Sequence, residues 1–206
     1  GKVTASIFST SYVKKDTKDA GKRPVFFVYN GGPGSSSVWL HMGAFGPKKI
    51  VIPSDAKDDG AAPFNMQDLL DTILDVTDLV FIDPVGTGFS HAAGVGENKE
   101  FWGVHEDAAS IAQFIRIWLR QNGRWQSPKY IGGESYGTTR SAALITQREG
   151  RFDDVSINGI ILISTILDFT IRDYQSGNEF GYVINLPTMA ATAQYHGKAG
   201  ADVSVA

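Results

Sequence analysis

The chain has 206 residues, 42% of them hydrophobic, with a formal net charge of -3 and no cysteine. That length supports one domain with a sizeable core, and that charge favours neither nucleic acid nor an anionic membrane as a partner. Without cysteine there is no disulfide framework and no thiolate metal site, no other metal or cofactor site is expected, and no apolar run reaches the about 18 residues of a membrane span.

In chain order, Val3 to Tyr12 alternate as a strand, so the chain begins inside a sheet. No signal peptide is visible, and a start missing from this sequence would have carried one away, so a periplasmic or secreted location is permitted. Pro24 to Tyr29 is an almost wholly apolar run, as in a strand covered on both faces. It leads into Asn30-Gly31-Gly32-Pro33-Gly34-Ser35-Ser36-Ser37, a loop whose composition leaves main-chain N–H groups bare. A phosphate-cradling loop is the competing reading, but no Gly-Lys-Ser/Thr ending follows and no G-x-G-x-x-G is present.

Asp55 to Gly60 reads as an exposed polar loop. Leu79 to Ile82 is the next buried strand, and Gly86-Thr87-Gly88 turn the chain at its carboxyl end, where ligand sites of open α/β sheets gather. Phe89 beyond this turn either lines a pocket or belongs to the core. Val104, Ala108, Ile111, Ile115 and Trp118 recur at helical spacing, which predicts an amphipathic helix over 103–120 with Glu106 and Asp107 near its favourable end. Strands alternating with helices argue for a parallel sheet.

Lys129 to Gly132 followed by Gly133-Glu134-Ser135-Tyr136-Gly137 and a helix carrying Ala142 and Ala143 reads as strand, sharp turn, helix, with Ser135 at the apex. This is a nucleophile elbow, and its glycines let strand and helix pass close to a strained serine. Acyl transfer puts negative charge on the former carbonyl oxygen, and two preorganised N–H donors stabilise it; losing one raises the barrier by roughly 3 kcal/mol. The candidates are the N–H groups of Gly32 and Tyr136. Ile157 to Ile163 is a further buried strand, Arg172 to Asn178 opens a cap, and Pro187 begins a short helix.

Asn30 to Ser36, then Phe81-Ile82-Asp83-Pro84-Val85-Gly86-Thr87-Gly88-Phe89-Ser90, then Gly133 to Gly137 resemble, in that order, the three signature blocks of the serine carboxypeptidases, the S10 peptidase family. The resemblance runs from about Pro24 to about Gly159 and more loosely through Leu186-Pro187-Thr188 to His196. It implies an α/β-hydrolase fold, a doubly wound and mostly parallel sheet, present here in part: 1–170 as the N-terminal part of the core and 171–206 as the start of the cap. It implies hydrolysis of the last peptide bond through an acyl-enzyme on Ser135. Gly32 and Tyr136 then form the oxyanion hole, and Asn30, Gly31 and Glu134 clamp the terminal carboxylate of a peptide substrate.

The clamp also has a physical rationale, since an exopeptidase rejects internal bonds by leaving polar groups unpaired unless a free carboxylate fills the site. Asn30 can donate from its amide, and Glu134 can hydrogen-bond a carboxylate only while protonated, so binding weakens as pH rises. The family's second glutamate, which shares this proton, is replaced by Ala44 in Ala44-Phe45-Gly46-Pro47, and one support for an acidic working range goes with it. Ser35 stands where many members have a disulfide-bonded cysteine, as in the cysteine-free bacterial-type branch.

The base is the missing part. In α/β-hydrolases Asp or Glu and then His follow the serine, and only His196 lies downstream of Ser135. In the family, Tyr195-His196-Gly197 belongs to the segment leading into the cap, and the catalytic Asp and His come after the cap. Either a companion chain carries them, or the sequence is a fragment with a nucleophile and no base. An Asp168/His196 dyad is the in-chain alternative, against the reading that Asp168 starts a turn and His196 caps or lines a helix. His41 and His91 lie upstream of the nucleophile, and His105 is structural. An acyltransferase or esterase on the same scaffold, and a fragment that only binds, are the rival functions.

Overall fold

The computed structural model describes residues 2–53, 60–146, 155–172 and 175–200. The polar loop expected at Asp55 to Gly60 therefore lies, except for Gly60, outside the described residues. The chain divides into two units, Gly1–Ile166 and Leu167–Ala206.

The first unit contains the strands β1 (Ala5–Ser6), β2 (Ser9–Tyr12), β3 (Val25–Tyr29), β4 (Lys48–Ile50), β5 (Met66–Asp68), β6 (Asp78–Ile82), β7 (His91–Ala92), β8 (Lys129–Glu134) and β9 (Gly159–Ile163). Its helices are α1 (Val38–Leu40), which runs on into a π turn at His41–Phe45, then α2 (Val104–Gln121) and α3 (Tyr136–Thr146). The central sheet has the order β2-β6-β3-β8-β9. Within it β6, β3, β8 and β9 are parallel, and only β2 runs antiparallel, against β6.

The apolar run of β3 puts it at the middle of this sheet. Val25, Phe26, Phe27, Val28 and Tyr29 are each at most 1% exposed, and alternate side chains serve opposite faces. Val25, Phe27 and Tyr29 pack with Ile111, Ile115, Leu119 and Leu144 of the two long helices. Phe26 and Val28 pack with Leu40, Leu79 and Phe81 on the other side. Each such side chain contributes about 1.5–3 kcal/mol by leaving water.

Three expected elements differ. The alternating stretch Val3 to Tyr12 splits in two, because the Phe8 amide leaves the ladder and donates to Ser90 Oγ at 2.8 Å; β1 then pairs with β7 and β2 with β6. The strand expected as buried over 157–163 is β9, an edge strand paired with β8, and Ile160, Ile161 and Leu162 are 44%, 41% and 46% exposed. Its apolar run reads like that of β3, but among the described residues nothing packs over both its faces. In the second unit, Pro187 lies inside helix α4 (Phe180–Tyr195) instead of opening one. The helix spans it with one backbone bond fewer, since proline has no N–H for the Val183 carbonyl.

Opposite the carboxyl ends of the parallel strands, the sheet is tied by a buried ionic group. Asp78, 2% exposed, accepts from Arg23 Nε at 2.7 Å, Arg124 Nη1 at 2.5 Å and the Lys14 amide at 3.0 Å. Arg124 Nη2 also donates to the Arg23 carbonyl at 2.7 Å. Burial pushes the Asp78 carboxyl up, but the two guanidinium groups outweigh it and hold it below the usual range.

Candidate active site

Strand β8 ends at Glu134 and α3 begins at Tyr136, leaving Ser135 alone at the junction with φ 56°, the left-handed region. A serine there is strained by of order 1–3 kcal/mol and persists only where its surroundings fix it. The Ser135 amide donates to the Ile163 carbonyl at 2.9 Å, and the Ser135 carbonyl accepts from the Thr138 amide at 2.9 Å and from Thr138 Oγ1 at 2.6 Å. The flanking glycines have the steric role read from the sequence. A Cβ on Gly133 would lie 2.1 Å from the Gly137 carbonyl oxygen, and one on Gly137 would lie 3.0 Å from that of Tyr29. Ser135 itself is half-exposed.

The glycine-rich loop after β3 meets this elbow. A Cβ on Gly31 would stand 2.5 Å from the Tyr136 amide nitrogen and 2.5 Å from the Glu134 carbonyl oxygen, so only glycine lets the loop lie here. Gly31 is buried, whereas Gly32, with φ 109°, and Pro33 and Gly34 after it are exposed. Asn30 is 1% exposed. Its Nδ2 donates to Glu134 Oε2 at 3.2 Å and its Oδ1 accepts from the Leu40 amide at 3.1 Å. The structure thus brings Asn30, Gly31, Glu134 and Tyr136 together around Ser135, with Gly32 next along the same loop. Ala44 lies in the π turn, exposed.

The second signature block holds the glycine loop from below. Asp83 Oδ1 accepts from the Ser37 amide at 2.8 Å, and Ser37 Oγ donates to the Ile82 carbonyl. A Cβ on Gly88 would stand 2.1 Å from Asp83 Oδ2, which gives that glycine its reason. Phe89 is 75% exposed and packs edge-on against Phe8 with ring centres 5.1 Å apart, so it is not core.

The sequence reading missed Arg140 near the elbow, and with it the pairing of Arg140 with Asp107. Arg140 on α3, 1% exposed, donates from Nε to Asp107 Oδ2 at 2.7 Å and from Nη1 to the Asn30 carbonyl at 2.7 Å. Burial pushes the Asp107 carboxyl up, opposed by Arg140 and by the Tyr136 hydroxyl; burial also raises Tyr136, helped by Asp107. The helix expectation placed Asp107 near the start of the helix, where the dipole favours it, and the structure has it in the first turn of α2. Only its spacing from Ala108 and Ile111, on the apolar side of α2, hinted at its burial. A cavity of about 220 Å³ reaches this pair, walled by Pro33, Pro84, Val85, Phe101, Trp102 and Tyr136.

The histidines upstream of the nucleophile are engaged elsewhere. His41 Nε2 lies 2.7 Å from the Tyr12 hydroxyl and its ring stacks on Phe81, with burial lowering its pKa. His91 Nδ1 is 3.2 Å from the Phe89 carbonyl. In the second unit, Asp168 Oδ1 accepts from the amide and the hydroxyl of Thr170, both at 2.8 Å, which is a turn. His196 follows the last residue of α4 with its ring edge-on to Tyr195. Among the described residues, no cluster of His, Cys, Asp or Glu could hold a metal ion.

An elbow serine after a parallel strand, facing a glycine loop from a neighbouring strand, defines an α/β-hydrolase site. The profile of the serine carboxypeptidase family, Peptidase S10, matches residues 8–196, and the chain belongs to that family. Serine carboxypeptidase-like 36 of Arabidopsis thaliana is 26% identical over 183 residues, covering 86% of this chain and 34% of its own length. The retinoid-inducible serine carboxypeptidase of Homo sapiens is 29% identical over 139 residues, 65% of this chain and 26% of its own. The chain thus spans about a third or less of these relatives. Among solved structures, the prohormone-processing carboxypeptidase Kex1 of Saccharomyces cerevisiae superposes with a TM-score of 0.64 at 18% identity, over 95% of this chain and 44% of that one. That likeness concerns the fold, of which this chain holds part.

Proposed function

We propose that the protein containing this chain is a serine-type carboxypeptidase that removes the C-terminal residue of a peptide through an acyl-enzyme on Ser135. The observation that carries the reading is the left-handed Ser135 between β8 and α3 with Gly31 lodged against the amide of the next residue. Ser135 Oγ attacks the carbonyl carbon of the last peptide bond. The N–H groups of Gly32 and Tyr136 receive the resulting oxyanion, the bond to the C-terminal residue breaks as its nitrogen takes a proton, and water later releases the acyl group. Asn30, Gly31 and Glu134 hold the terminal carboxylate of the substrate, a role supported by the Asn30–Glu134 hydrogen bond at 3.2 Å.

The general base and its orienting carboxylate come from sequence other than these residues, whether further along the same polypeptide or on a companion chain. A periplasmic or secreted location goes with this reading; no described helix is long and apolar enough to cross a membrane. The direct test is labelling of the full-length protein with a fluorophosphonate. The expected result is one modified residue, Ser135, with labelling lost in Ser135→Ala; an unlabelled protein, or a label elsewhere, overturns the assignment.

A further inference from the structure

One turn into α3 a positive charge is buried almost completely, although removing a charge from water costs several kcal/mol unless it is well paired. Arg140 meets that condition in an informative way, because its contacts belong to three separate segments. Nε donates to Asp107 of α2 at 2.7 Å. Nη1 donates to the carbonyl of Asn30 at 2.7 Å, at the end of β3. The guanidinium carbon lies 5.1 Å from the centre of the Tyr29 ring and 5.2 Å from that of Tyr136, so the cation sits between two aromatic rings.

The Asn30 carbonyl and the Gly31 amide are one rigid peptide plane. Fixing that carbonyl therefore fixes how the chain enters Gly31 and Gly32. On the other side, the ring of Tyr136 lies against the guanidinium, 5.2 Å from its carbon. The two segments that offer N–H groups beside Ser135 are thus joined by one planar side chain, two contacts of which demand the fork of an arginine.

We propose that Arg140, held by Asp107, is a positioning residue that sets the spacing between the Gly31-Gly32 loop and the Tyr136 amide, and through it the oxyanion site. The inference rests on the reading of Ser135 as the nucleophile. It concerns transition-state stabilisation more than substrate binding, since Arg140 is buried beneath the site.

The test compares two conservative variants of the full-length protein with a matched control. Arg140→Lys keeps the charge but loses the fork, and Asp107→Asn keeps the shape but loses the charge that holds the guanidinium. Arg124→Lys makes the same exchange in the buried ionic group at the opposite end of the sheet. For a small ester substrate, Arg140→Lys is expected to lower kcat about 10- to 100-fold, with KM changed less than about threefold and the fluorophosphonate labelling rate reduced in step. Asp107→Asn shows the same pattern more weakly. Arg124→Lys lowers the melting temperature and leaves kcat alone. A folded Arg140→Lys or Asp107→Asn protein with unchanged kcat overturns the proposal, as does a loss confined to KM or a loss of kcat equalled by Arg124→Lys. If Arg140→Lys does not fold, Asp107→Asn decides. A wild-type protein that does not label at Ser135 removes the nucleophile reading and this inference with it; a labelled wild type with unaffected variants removes this inference alone.

Discussion

The α-carbon of Gly31 packs so tightly on the elbow that a methyl group there would stand 2.5 Å from the amide nitrogen of Tyr136. Gly31→Ala must therefore push the glycine loop away from α3 or move the elbow itself. Because a displacement of about 1 Å can cost a factor of 100 in rate, the variant is expected to label with fluorophosphonate at least about 100-fold more slowly than wild type. Circular dichroism checks that the fold survives, and a labelling rate within a few-fold of wild type contradicts the packing argument.

Glu134 hydrogen-bonds Asn30, and neither residue is needed to hold an oxyanion. Glu134→Gln is expected to reduce kcat/KM for a peptide with a free C-terminus by at least about tenfold, while hydrolysis of a simple ester changes little. Parallel assays on the two substrates distinguish the outcomes. Equal loss of both would point away from a carboxylate clamp, and activity on esters alone in the wild type would favour an esterase or acyltransferase.

Asp78 holds two arginines in a site closed to water. Removing one partner of a buried pair is costly, so Asp78→Asn is expected to destabilise the protein by about 3–5 kcal/mol at neutral pH, read from urea unfolding. The pH dependence follows from the depressed carboxyl. A folded-state pKa below the unfolded value of 3.8 means that the stabilisation is complete above that value and fades as pH falls through the folded pKa. The gap between wild type and variant should narrow below that point; a constant gap would show that shape, and not charge, is what Asp78 supplies.

His41 works in the opposite chemical sense with the same direction in pH. Burial lowers its pKa below 6.5, so protonation favours the unfolded chain, and stability falls as pH drops through 6.5 toward the folded value. His41→Gln, which cannot titrate, is expected to flatten this part of a melting-temperature profile, while Tyr12→Phe removes the hydrogen bond and lowers stability by about 0.5–1.5 kcal/mol. An unchanged profile in His41→Gln would place the transition on another group.

The elbow, the glycine loop and the central strands are readable in the sequence because each is local: glycines at fixed offsets from a serine, and apolar runs at strand length. Ser135 follows from those spacings, Asn30 and Gly31 from the family resemblance, and the structure brings the three close together. Arg140 does not, since nothing in a helix beginning Tyr136-Gly137-Thr138-Thr139 tells that its arginine turns inward to an acid 33 residues earlier. The error at Ile157 to Ile163 has a related origin. An apolar run reports what a strand would bury, and whether a neighbour exists to cover it is decided elsewhere in the chain. Pro187 misleads because its favoured position is a helix start, and only the tertiary fold shows that α4 continues through it.

The open flank of β9 has a practical consequence. Among the described residues β9 is paired along one margin only, and three successive branched aliphatic side chains on such a strand make an adhesive surface, available to another copy of the same segment. Handled by itself in solution, this stretch of polypeptide should stick to its like as concentration rises, and added charge at Ile161 should keep it dispersed.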